Sequence, residues 1–195
     1  MTTERVLLIG MMGVGKTTVG RLLADRLGAV YIDNDDSVRR RTGRGVADIL
    51  QESGEQALRE AERSAFAETL AVPGRTVIGV PGGMVLDPAD RALIEDAGSP
   101  VVWLRARPET IAKRVVGTDR PWLGDDPLAS LTRLAADRHP LFAEVAHVVV
   151  DVDERTPEQV AEATVRLLAE DAAGAGASAR TAADTMGSHY RSGGV

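Results

Sequence analysis

Short apolar runs alternate with amphipathic stretches along almost the whole chain. The runs at 6–9, 29–32, 76–80, 101–104 and 147–152 are brief and mostly rich in β-branched residues, as buried parallel strands are. Between them lie helical patterns at 16–27, 35–42, 45–71 (broken near Gly54), 88–97, 108–116, 127–138 and 157–170. The last of these opens with Thr156 as N-cap, Pro157 in the first helical position and Gln159 completing a capping box. Val160, Ala163, Thr164, Leu167 and Leu168 then form one stripe. Such alternation predicts an α/β fold, a parallel sheet covered by helices on both faces. The pattern fails after residue 170. Ala172-Ala173-Gly174-Ala175-Gly176-Ala177-Ser178 is low in complexity. Residues 171–195 are therefore expected to form a flexible tail, with at most a weak helix near 179–186, leaving 1–170 as the domain.

Length and composition narrow the function classes. A chain of 195 residues, 44% hydrophobic and 27% charged, suits one soluble globular domain. Its net charge of −6 argues against nucleic-acid binding through global charge. No apolar run reaches a membrane span, and the first residues lack a signal-peptide layout, so a cytoplasmic protein is expected. Cysteine is absent, which excludes disulfides and thiolate metal sites. His139, His147 and His189 are scattered, without acidic neighbours at metal spacing, and read as structural or exposed.

Residues 10–17, Gly10-Met11-Met12-Gly13-Val14-Gly15-Lys16-Thr17, complete the G-x-x-x-x-G-K-[ST] pattern. A predicted strand precedes it and a predicted helix follows, the context a phosphate-binding loop requires. Glycines let successive backbone N–H groups converge on phosphate oxygens, and the helix turns its positive end toward the anion. Lys16 can reach the β- and γ-phosphates, and the Thr17 hydroxyl can ligate Mg²⁺. Lys16 and Lys113 are the only lysines, among 23 Lys and Arg residues, and one occupies the position that demands lysine.

Four more features follow in order: Asp33-Asn34-Asp35-Asp36 after the second strand, Gly54-Glu55-x-x-x-Arg59-x-x-Glu62, Pro81-Gly82-Gly83 after the third strand, and Asp119-Arg120-Pro121 with Arg138-His139-Pro140-Leu141-Phe142 further on. Strand C-termini line the ligand crevice of an open parallel sheet, so these groups should meet the phosphate loop. From about Arg5 to Leu168 the chain resembles the shikimate kinase family, most closely in Gly13-Val14-Gly15-Lys16-Thr17-Thr18-Val19-Gly20-Arg21-Leu22-Leu23-Ala24 and Arg41-Thr42-Gly43. The resemblance implies a P-loop three-layer α/β/α fold with a five-stranded parallel sheet, a helical substrate-binding region (about 33–62) and a mobile lid (about 115–127).

It also implies roles. Gly13, Val14, Gly15, Lys16, Thr17 and Thr18 would bind ATP, with Arg114 (one residue offset) and Pro157 near the adenine. Thr17 and Asp33 would position Mg²⁺. Asp35 would hold the acceptor hydroxyls beside the attacking oxygen; alternate spacing in an extended segment would point Asp33 and Asp35 to one side, although an acidic helix N-cap cluster is the other reading of these residues. Arg59 and Arg138 match the arginines that clamp the shikimate carboxylate, which a guanidinium fork suits. Gly82 and Gly83 would offer backbone N–H groups, and Arg120 would close over the phosphates. Lys16, Asp35 and Arg120 are thus the candidate catalytic residues.

Two departures touch the acceptor. Pro81 stands where the family has the first of three glycines, removing an amide donor. Leu50 and Leu58 stand where the family tends to place phenylalanines beside the ring. The reading is an ATP-dependent small-molecule kinase, expected to be monomeric, that makes shikimate 3-phosphate. The alternatives are a kinase for another polyol acid or cyclitol, gluconate among them, and a non-catalytic nucleotide-binding regulatory module.

Overall fold

The computed structural model describes residues 4–115 and 123–187, with backbone alone for 175–187. Five strands, β1 (Arg5–Ile9), β2 (Val30–Asp33), β3 (Thr76–Gly79), β4 (Val101–Arg105) and β5 (Val148–Asp151), form one parallel sheet in the order β2-β3-β1-β4-β5. Seven helices connect and cover them among the described residues: α1 (Lys16–Leu27), α2 (Asn34–Thr42), α3 (Val46–Leu70), α4 (Pro88–Asp96), α5 (Pro108–Val115), α6 (Pro127–Val145) and α7 (Pro157–Gly187). The central strand β1 is buried on both faces from Val6 to Ile9, which explains why its sequence reads as a continuous apolar run. It packs with Leu23, Phe66, Ile78, Leu104, Ile111 and Phe142 in the main core. A second, smaller core of Val38, Ile49, Leu58 and Ala65 holds α2 against α3 and carries one wall of the site.

Local signals in the sequence are realised where they are chemically strongest. The Thr156 amide donates to Gln159 Oε1 at 2.9 Å, and the Gln159 amide donates to Thr156 Oγ1 at 3.3 Å, completing the capping box of α7. The break in α3 falls at Gly54, whose φ of 82° lies in the left-handed region. Three expectations change. Helix α6 does not stop at 138 but continues through Pro140 to Val145, because Phe142 and Val145 are buried in the main core. Burying those two side chains offsets the roughly 3 kcal/mol that an interior proline costs. Helix α7 runs on through the alanine-rich stretch to Gly187, where the sequence predicts a helix ending at 170 and at most a weak one near 179–186; alanine has the strongest helix propensity, and it outnumbers the glycines there. Finally, the segment after β2 is not extended: the strand ends at Asp33 and α2 starts at once.

Candidate functional site

The carboxyl ends of β1, β2 and β3 open onto a cavity of about 860 Å³, within the range of small-ligand sites. Among the described residues its phosphate side is lined by Gly13, Gly15, Lys16, Thr17 and Thr18, with Asp33 and Asp35 beside them. Its far wall comes from α3 (Glu55, Leu58, Arg59, Glu62), the turn Pro81-Gly82-Gly83, and α6 (Ser130, Arg133, Leu134, Asp137, Arg138). Thus the fold brings together residues spread over more than a hundred positions of sequence.

On the phosphate side the groups hold one another. Lys16 Nζ donates to the carbonyls of Gly10 at 2.8 Å and Met11 at 3.2 Å. Thr17 Oγ1 donates to Asp33 Oδ2 at 2.8 Å, and Tyr31 Oη donates to the same oxygen at 3.0 Å. Asp33 Oδ1 accepts the Asp35 amide at 3.1 Å, so Asp33 is the N-cap of α2 and Asp35 lies in its first turn. The two acids meet the cavity from a strand end and a helix start, since acidic residues favour a helix N-terminus. Burial and the neighbouring Asp33 carboxylate push the Tyr31 hydroxyl well above its ordinary pKa. Val14 is buried, and its carbonyl accepts Arg114 Nη1 at 2.9 Å; Arg114 Nη2 reaches Val152 O at 3.4 Å, tying the loop to the end of β5. Val14, Arg114 and Pro157 lie outside the lining of this cavity. Arg120 and the lid stretch 116–122 lie outside the described residues.

Thr17 and Asp33 present only oxygen atoms, as a hard divalent cation requires. No cluster of three or more acidic or histidine side chains forms a metal cage among the described residues. That donor set suits Mg²⁺, which is usually held by one or two protein groups plus substrate phosphates.

The acceptor side is built differently. Arg59 is divided between two carboxylates, Glu62 Oε2 at 2.6 Å and Glu55 Oε1 at 3.0 Å, on neighbouring turns of α3. Burial drives the Glu62 carboxyl pKa upward, and Arg59 pulls it partly back. The Arg59 guanidinium lies over Gly83, in the space a Cβ there would fill, so any larger residue would have to displace it. Arg138 is buried, yet its Nε has no hydrogen-bond partner, and its guanidinium forms no ion pair among the described residues. Desolvation, and then the positive Arg59, lower the Arg138 pKa. An unpartnered buried cation is costly, and an anion entering the cavity would relieve it.

Sequence reasoning missed Ser130, Arg133 and Asp137 on this wall. The signal was available: Ser130, Leu134 and Arg138 repeat every four residues along α6, and Arg133 and Asp137 form the adjacent four-residue pair, so all lie on one face of the helix. The histidines behave as expected where described. His147 Nδ1 accepts the Val101 amide at 3.2 Å, and His139 packs edge-on to Trp103.

No described helix is long and apolar enough to cross a membrane. A family model described as shikimate kinase matches residues 12–169. A shikimate kinase of Thermobifida fusca (strain YX) is 45% identical over 157 residues, covering 80% of this chain and 89% of its relative. One from Symbiobacterium thermophilum is 41% identical over 169 residues, covering 85% and 96%. The solved structure described as "Shikimate kinase from Acinetobacter baumannii in complex with shikimate" superposes with a TM-score of 0.82 at 30% identity, covering 87% of this chain and 95% of that one. A gluconokinase from Sinorhizobium meliloti 1021, at 20% identity and a TM-score of 0.65, shares the fold alone. The P-loop, the parallel sheet and these matches agree: the chain belongs to the shikimate kinase family.

Proposed function

We propose that this protein transfers the γ-phosphoryl group of ATP to a hydroxyl of shikimate, yielding shikimate 3-phosphate and ADP. The observation that carries the reading is the buried Arg138, without an ionic partner among the described residues, beside Arg59 in the cavity that the phosphate loop opens onto. A small acid seated there would give Arg138 the planar anion that a guanidinium fork matches.

The proposed roles are consistent with where the described residues stand. Loop amides and Lys16 hold the β- and γ-phosphates; Lys16 exchanges loop carbonyls for phosphate oxygens when nucleotide enters. Thr17 and Asp33 would hold Mg²⁺, which supplies charge neutralisation across the phosphates. Arg138 and Arg59 fix the acceptor carboxylate, and amides of Gly82 and Gly83 flank it. Asp35 orients the acceptor hydroxyl and takes its proton as the new O–P bond forms and the β,γ-bridging bond breaks. Arg120 would act on the charge that develops in transfer. Most of the acceleration then comes from positioning and electrostatics. The proposal includes a monomer working in the cytoplasm. ADP release from ATP and Mg²⁺ in the presence of shikimate, quinate, gluconate or nucleoside monophosphates tests it. Selective turnover of shikimate is expected; turnover of another acceptor, or acceptor-independent ADP release alone, would overturn it.

A further inference from the structure

Tyr31 belongs to no motif, and the transfer chemistry above does not use it. Yet it sits where α1, β2 and β3 meet beside the phosphate loop. Tyr31 and Asp33 are alternate residues of β2 and so share one face of the strand. The ring fills the space over two glycines. A Cβ at Gly20 of α1 would stand 2.2 Å from Tyr31 Cε2, and one at Gly79 of β3 would stand 2.4 Å from its hydroxyl. Gly79 is also the register partner of Asp33. The side chain is therefore held from both sides, which fixes its hydroxyl oxygen 3.0 Å from Asp33 Oδ2.

That contact completes the bonding of one carboxylate. A carboxylate only accepts, so both Thr17 and Tyr31 must donate to Oδ2, while Oδ1 takes the Asp35 amide. If Thr17 turned a lone pair toward a cation, its proton would still point at Asp33. Tyr31 is then the donor that keeps Oδ2 in place, through a group with no cation of its own to serve. Outer donors of this kind orient metal-binding oxygens.

We propose that Tyr31 is a positioning residue for the divalent-cation side of the site, acting through Asp33 to set the geometry in which a metal-bound nucleoside diphosphate or triphosphate is held. The inference rests on the proposed roles of Thr17 and Asp33. Tyr31→Phe removes the hydroxyl and keeps the ring between Gly20 and Gly79.

The test is calorimetric titration of ADP with and without Mg²⁺ into the wild-type protein, Tyr31→Phe, Asp33→Asn and the double variant. In wild type, Mg²⁺ is expected to tighten ADP binding. In Tyr31→Phe that enhancement should shrink about tenfold, while metal-free ADP binding stays within about twofold of wild type. In the Asp33→Asn background the Tyr31→Phe change should add nothing further, because the hydroxyl acts through that carboxylate. An unchanged Mg²⁺ enhancement in Tyr31→Phe, an equal loss with and without metal, or an additive effect in the double variant would overturn the positioning role alone. A wild-type protein whose ADP affinity ignores Mg²⁺ would overturn the cation reading of Thr17 and Asp33, and the role of Tyr31 with it.

Discussion

Around the phosphate loop the polar groups satisfy one another: Lys16 is on loop carbonyls, Thr17 and Tyr31 on Asp33, and Arg114 on the Val14 carbonyl. Across the cavity, Arg59 is shared between Glu55 and Glu62, while Arg138 is buried with no ionic partner among the described residues. The difference reflects how each half is used. Under the proposed function the phosphate side serves a polyanion through backbone amides, so its shape must stand before the ligand comes. Under the same proposal the acceptor side recognises one carboxylate, and among the described residues Arg138 is left for that ligand to neutralise. Two arginines that look equivalent in sequence thus differ: Arg59 is ion-paired within α3, and Arg138 has no ionic partner among the described residues.

The strongest way to break this comparison is on the phosphate side. Lys16→Met should lower kcat by about 10³-fold, in the range for removing a preorganised charge from a transferring group, with little change in thermal unfolding. Turnover within tenfold of wild type in a folded variant would remove the phosphate role. On the acceptor side, Arg59→Ala leaves the buried Glu62 unpaired and should cost about 3 kcal/mol of unfolding free energy in denaturant titration. Arg138→Ala should cost almost none, because it removes a buried charge with no ionic partner among the described residues. Equal destabilisation by the two changes would erase the distinction.

Acid sharpens the same contrast. Burial raises the Glu62 pKa above its ordinary value, and losing Arg59 raises it further. The folded Arg59→Ala protein therefore binds a proton more readily than its unfolded chain, and folding is favoured as pH falls through the raised value. The stability gap between wild type and Arg59→Ala should narrow as pH falls from neutrality toward the ordinary carboxylate range. A gap that widens over that interval would contradict the assignment of the cost to Glu62. Arg138→Ala should instead weaken shikimate binding by about 2 kcal/mol, the scale of hydrogen bonds to a charged group, with ADP affinity unchanged in calorimetry.

How much of this was legible in the sequence follows the range of the interactions. The strands and the phosphate loop could be read because each is specified by its own neighbours: Val6 to Ile9 is apolar throughout, and Gly10 to Thr17 is contiguous. The capping box at Thr156 and the break at Gly54 are local in the same way. The asymmetry between Arg59 and Arg138 could not be read, because it depends on how deeply α3 and α6 bury each guanidinium. Tyr31 escaped notice because its meaning lies in Gly20 and Gly79, on two other elements. Pro140 misled because its local penalty is set against burial of Phe142 and Val145, which only the tertiary fold supplies.

The smallest expected effect concerns Pro81, which lines the cavity where the family pattern has glycine. Pro81→Gly should leave kcat/KM for shikimate unchanged or improved by restoring an amide, while unfolded-chain entropy lowers stability by up to about 1 kcal/mol. A clear loss of shikimate turnover would mean that the acceptor wall is shaped around the proline.

The two halves of the cavity must finally meet in one reaction. Phosphorus NMR of the protein with equimolar ATP and shikimate and excess Mg²⁺ reads that reaction directly. Loss of the γ-phosphate resonance matched one for one by a phosphomonoester of shikimate is the predicted result. ATP that stays intact, or a γ-phosphate that appears only as inorganic phosphate, would contradict the account.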